Sequence, residues 1–184
     1  TYKKMGFLDK AILNYKKSIS INPNYFEALV NLSNTLRTKG DFNASIFYLQ
    51  KSLLINPKSY ESYSNLGLTY QKKGSFISAI KNTKKAIRLN RKNSEAYQNL
   101  GTIYFELKKY DLAIKFFKTA LRKTDFSNDL YCNLAISYLN SFNFKEGIKC
   151  LSTSFQKLIN EEHFKNHYFK DNSQLLFGIN YCPN

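Results

Sequence analysis

Proline and glycine are scarce, at 3 and 7 among 184 residues, so little of the chain is punctuated. No apolar run approaches the roughly 20 residues that a membrane-spanning helix needs, which excludes that class for the sequence at hand. The cysteines, Cys132, Cys150 and Cys182, are odd in number and have no close CxxC spacing. Reduced thiols fit this better than a disulfide framework or a zinc site. His163 and His167 lie four apart without the intervening carboxylate of a zincin, so no metal is expected there either. A Gly-rich phosphate loop, a nucleophile elbow and paired catalytic carboxylates are all missing, which predicts a chain without catalysis or cofactor. Acidic residues are few, 13 against 28 Lys and Arg, for a net charge of +15. That imbalance raises nucleic acid and anionic membrane as partners, but it has to be located on the fold before it carries meaning. The opening at Thr1 shows no basic-then-apolar leader, and the expected location is cytoplasmic.

What the chain has is bulk and period. Hydrophobic residues make up 43%, with 14 Tyr and 15 Phe, enough to fill a layered core. Leu32, Leu66, Leu100 and Leu134 recur every 34 residues, each preceded by an asparagine: Asn31, Asn65, Asn99, Asn133. Tyr63, Tyr97 and Tyr131 keep the same step, with Leu29 in their place earlier. Leu36, Tyr70, Tyr104 and Tyr138 follow, then Phe42, Phe76, Tyr110 and Phe144, then the small residues Ser45, Ala79, Ala113 and Gly147. Bulky residues three and four apart give each helix an apolar stripe, and the small ones let the second helix of a pair approach the first. Gly40 and Gly74 suit the ends of first helices, and Pro23 and Pro57 the turns between units.

This spacing resembles the tetratricopeptide repeat, most fully in SEAYQNLGTIYFELKKYDLAIKFFKTAL, Ser94 to Leu121. The resemblance spans residues 2 to 158 and implies an all-α, right-handed solenoid of antiparallel helix pairs. Arg91 and Asp125 depart from it in place of proline, and Gly147 predicts a less rigid second helix in the last repeat. The register places a partial repeat at 1–24, with Gly6 to Ile21 as a second helix, and full repeats at 25–58, 59–92, 93–126 and 127–159. A capping helix or linker is expected at 160–172 and the start of a downstream segment at 173–184; an excerpt from a longer protein would look like this.

In such a solenoid the first helices line the inner curve, so their recurring residues form ladders. Asn31, Asn65, Asn99 and Asn133 offer paired donors and acceptors that suit the backbone of an extended peptide. Consensus and the general Asn richness of the chain would also account for them. Glu27, Glu61, Glu95 and Asp129 form a second ladder in the first turns, where the helix macrodipole favours carboxylates in any case. With these residues in the groove, the Lys- and Arg-lined carboxylate clamp of chaperone-binding relatives is not expected. The expected partner is therefore a protein or extended peptide in the concave groove, and self-association through the repeats is compatible with the same pattern.

Cations align on the second helices: Lys81, Lys115 and Lys149, Lys84 with Lys118, Arg88 with Arg122. Phe47, Gln50 and Leu54 break the stripe one repeat earlier, which favours a solvated outer face over a nucleic-acid or membrane track. The aromatics sit at packing positions and so do not read as stacking platforms. Finally, SQLLFGINYCPN (Ser173 to Asn184) resembles the junction between repeats and catalytic domain in bacterial and plant-type, SPINDLY-like peptide O-linked N-acetylglucosamine transferases. Leu175, Leu176, Phe177, Asn180, Tyr181 and Pro183 agree; Cys182 and Asn184 depart. The resemblance implies repeats that deliver acceptor proteins to a glycosyltransferase, none of whose catalytic residues lie before Asn184; the alternative reading is a free-standing assembly adaptor with no enzyme attached.

Overall fold

A computed structural model describes residues 2–124 and 127–160, with side chains over 6–124 and 127–156. The described residues form nine α-helices: α1 Tyr2–Ile21, α2 Phe26–Lys39, α3 Phe42–Ile55, α4 Tyr60–Lys72, α5 Phe76–Leu89, α6 Ser94–Glu106, α7 Tyr110–Leu121, α8 Asn128–Asn140 and α9 Phe144–Asn160. Four pairs, α2 with α3, α4 with α5, α6 with α7 and α8 with α9, stack in chain order. Asp125, the expected capping helix, the two histidines, Cys182 and the 173–184 segment lie outside the described residues.

The core is what the repeat positions dictate. Leu32, Leu66, Leu100 and Leu134 are buried, as are Ser45, Ala79, Ala113 and Gly147 opposite them. Phe117 is 1% exposed, and burying a side chain of that size contributes about 2–3 kcal/mol. Gly147 is a close-approach residue: a Cβ there would come within 2.8 Å of Leu139 Cδ2. The glycine thus brings α9 onto α8, and α9 runs unbroken past it.

The turns follow rules that the repeat pattern only partly announces. Asn22, Asn56 and Asn90 recur after α1, α3 and α5, and each side-chain Oδ1 accepts from the backbone N–H two residues on, at 3.1 Å in every case. These asparagine-closed turns explain why Arg91 can stand where Pro23 and Pro57 stand. Ser59, Asn93 and Ser127 then cap the next first helices by accepting from the N–H groups of Ser62, Ala96 and Leu130. Part of the Asn richness of the chain is therefore turn and cap chemistry.

First helices end with a left-handed residue. Gly40 has φ 93° and Gly74 φ 80°, while Lys108 and Phe142 take the same register at 57° and 60°. Gly6, one period before Gly40, is instead helical within α1, which crosses the expected boundary without a break. Among the described residues only α2 packs on α1, so no preceding helix forces a turn there, and continued intrahelical bonds satisfy the backbone.

Candidate functional site: the concave groove

Consecutive first helices touch one another, α2 with α4, α4 with α6 and α6 with α8, whereas among the described residues no two second helices touch. The stack must therefore curve with its first helices inside, and the residues common to them share one concave wall.

The asparagines occupy one register of that wall but not one environment. Asn31 is exposed. Asn65 is half-buried in an open cleft of about 430 Å³ lined also by Asn34, Arg37, Tyr60, Glu61, Ser64 and Glu95. Asn99 is 9% exposed, and its Nδ2 donates to Ser64 Oγ of the preceding repeat at 3.4 Å. Asn133 borders a small apolar hollow of about 60 Å³ with Thr102, Phe105, Phe117 and Ile136. Nearby hydroxyls reinforce the wall: Thr35, Thr69 and Ser137 donate to the backbone carbonyls of Asn31, Asn65 and Asn133 at 2.8, 2.8 and 2.7 Å.

Glu27, Glu61, Glu95 and Asp129 are all exposed in the first turns of α2, α4, α6 and α8. They form an acidic edge on an otherwise basic protein. The groove also holds a cation that the repeat pattern did not single out. Arg37, in the last turn of α2, is half-buried beside Asn34, whose Oδ1 accepts from Arg37 Nη2 at 3.3 Å. Burial lowers the Arg37 pKa from the usual guanidinium value, and the negative charge of Glu95 partly opposes this. Its signal in the sequence is the spacing of Asn34 and Arg37, three apart on α2 and outside both 34-residue ladders.

The outer face keeps its cations in water. Lys81, Lys84, Lys115, Lys118 and Lys149 are exposed, with Lys118 Nζ 5.2 Å over the Tyr138 ring and Lys85 Nζ 5.9 Å over Tyr63. Their stems cover aromatic surface while their heads stay solvated. Tyr104, Phe117 and Tyr138 are core residues as expected, but Phe47, Phe142, Phe144 and Phe155 are exposed. They lie at outer or turn positions, where no neighbouring helix covers them. Among the described residues no group of His, Cys, Asp and Glu could hold a metal, and no helix is long and apolar enough to cross a membrane.

Comparison with known proteins agrees with this architecture. Models described as tetratricopeptide repeat match residues 1–25, 14–47, 48–81 and 94–123, together more than half of the chain. No significant match to a curated protein was found by sequence. Among solved structures, MamA is similar at 26% identity and TM-score 0.75, over 88% of this chain and 94% of that one. TTC0263, a tetratricopeptide repeat protein of Thermus thermophilus, is similar at 21% identity and TM-score 0.71, over 92% of each chain. The fold also resembles a chain of the Cut9-Hcn1 hetero-tetramer of the APC/C, at 16% identity and TM-score 0.73, over 89% of this chain and 32% of that one. The chain belongs to the tetratricopeptide repeat family and is a protein-interaction scaffold.

Proposed function

We propose that the concave groove binds an extended segment of a partner protein, with the amides of Asn31 and Asn65 pairing to its backbone and the acidic edge facing its cations. The observation that carries this reading is the cleft over α2, α4 and α6, where Asn65, Glu61 and Glu95 stand together, accessible, on one inner wall. An amide that offers both donor and acceptor can pair with any peptide backbone, so it contributes affinity with loose sequence preference. Asn99, already bonded to Ser64, is a structural member of the ladder in this reading, and Asn133 serves at the far end of the groove. Selection of displayed random peptides on the chain tests it. Enriched peptides should lose affinity for the Asn31→Ala, Asn65→Ala double variant. Retained affinity in a helical variant removes these side chains from the site.

Two finer readings belong to the same proposal. The groove as the acceptor-binding arm of a protein O-glycosyltransferase is supported by the Ser173 to Asn184 resemblance alone, outside the described residues. Reading the natural open reading frame past Asn184 tests it: a glycosyltransferase domain supports the arm, and a stop codon removes it. A cytoplasmic setting accords with the free thiols of Cys132 and Cys150.

A further inference from the structure

The cleft at Asn65 continues beyond Arg37. A second cleft of about 570 Å³ starts from the same Arg37 and Leu68 and is lined by Lys39, Phe42 and Lys72. With Arg37 and Leu68 common to both linings, the clefts adjoin, and together they make a track that follows α4 from Tyr60 and Glu61 near its N-terminal end to Lys72 at its C-terminal end, where the α2–α3 turn forms the margin. The two halves differ chemically. Glu61 and Glu95 mark the first, among the uncharged polar groups of Ser64, Asn65 and Asn93, with Arg37 at its boundary with the second. Arg37, Lys39 and Lys72 rim the second, over an apolar floor of Phe42 and Leu68.

The cationic half has unused capacity. Among the described residues the ion pair is Lys39 with Asp9, 2.6 Å apart at the outer margin. Arg37 takes part in none and donates one bond to Asn34, although a guanidinium has five N–H groups to offer. One repeat later the pattern is different: Gln71 replaces Arg37, and its Nε2 donates to Glu106 at 2.8 Å. The track is therefore a local feature of the first repeats. Glu61 and Lys72 are eleven residues apart on α4. At a rise of 1.5 Å per residue that is about 16 Å, the reach of five or six extended residues.

We propose that this track holds a partner segment carrying a Lys or Arg some four to six residues from an acidic residue with an apolar neighbour. The basic side chain lies against Glu61 and Glu95, the carboxylate on Arg37 and Lys72, and the apolar side chain over Phe42 and Leu68. The proposal rests on peptide binding in the groove and adds which charges the bound segment carries, how far apart they stand and where each lies.

The test uses the full 184-residue chain and three fluorescein-labelled ten-residue peptides followed by anisotropy. One carries Lys five residues before Asp-Leu in a Ser/Gly background, the second has the Asp replaced by Lys, and the third has both charged residues replaced by Ser. The first should bind at least tenfold more tightly than the others. Arg37→Gln should reduce that preference, and Arg37→Glu with Lys72→Glu, which makes the whole track acidic, should reverse it towards the second peptide, a gain that misfolding cannot produce. Equal binding of all three peptides, lost on Asn31→Ala with Asn65→Ala, would overturn the charge placement and leave the groove reading intact. Failure of every peptide to bind overturns both, and so does binding that neither set of variants alters.

Discussion

Thr83 stands against Gly67 as Phe117 stands against Gly101 one repeat later. In the later repeat a phenyl ring fills the space, and a Cβ on Gly101 would lie 2.7 Å from Phe117 Cδ1. In the earlier one the Thr83 hydroxyl is pressed into the same gap, fully buried and without a hydrogen-bond partner. Other buried hydroxyls of the stack fare better. Ser33 Oγ donates to Val30 O, Ser52 Oγ to Leu49 O, and the hydroxyls of Ser45 and Thr69 meet at 3.2 Å.

Thr83→Val should therefore stabilise the fold. Removing a buried, unpaired hydroxyl while keeping the branched shape recovers about 1 kcal/mol, which corresponds to roughly 2–4 °C in Tm for a chain of this size. Thermal unfolding followed by circular dichroism checks it. Gly101→Ala is the opposite case, and overpacking should cost about 1–3 kcal/mol.

Lys108 and Phe142 hold left-handed backbone where the earlier repeats use Gly40 and Gly74. A left-handed residue with a Cβ costs roughly 1–2 kcal/mol. Lys108→Gly and Phe142→Gly should each raise stability by part of that. Phe142 is 83% exposed, so little packing is lost beyond its edge contact with Phe144 at 6.4 Å. Urea denaturation midpoints that fall in both variants would contradict this account of the turn.

The asparagine register should split into two kinds of effect. Asn99→Ala removes the bond to Ser64 and should lower stability by about 0.5–1.5 kcal/mol. Asn31→Ala, at an exposed position, should leave the unfolding midpoint unchanged and act on peptide affinity alone. Measuring both quantities on both variants decides it, and identical profiles would mean that the two residues share one role.

Cys150 is buried, and burial raises its thiol pKa; Glu146 pushes the same way, and Lys118 and Lys149 oppose it. The folded state thus keeps its proton after the unfolded chain begins to lose it. Its contribution to stability is present below the unfolded thiol value of about 8.5 and declines as pH rises above it. Alkylation of Cys150 by iodoacetamide at about pH 8, near that unfolded value, should be slow in the native protein and fast in urea when read by mass spectrometry. Equal rates in both would place the thiol in solvent.

Period, residue size and turn chemistry are local, and the linear chain carries them in full. The 34-residue step of Leu32, Leu66, Leu100 and Leu134 determined the helix pairs, their pairing order and the concave register of the asparagines, because helical geometry converts spacing directly into facing. Tertiary structure alone decided how each repeated position is used. Asn31, Asn65 and Asn99 share a spacing yet end exposed, cleft-lining and buried, since each one's surroundings come from neighbouring repeats. Arg37 belongs to no ladder, and it lines a cleft with Glu95 and feels that charge only because the stacking of repeats brings the end of α2 towards the start of α6. A charge's partners depend on distance through space, and along this chain those two residues are 58 positions apart.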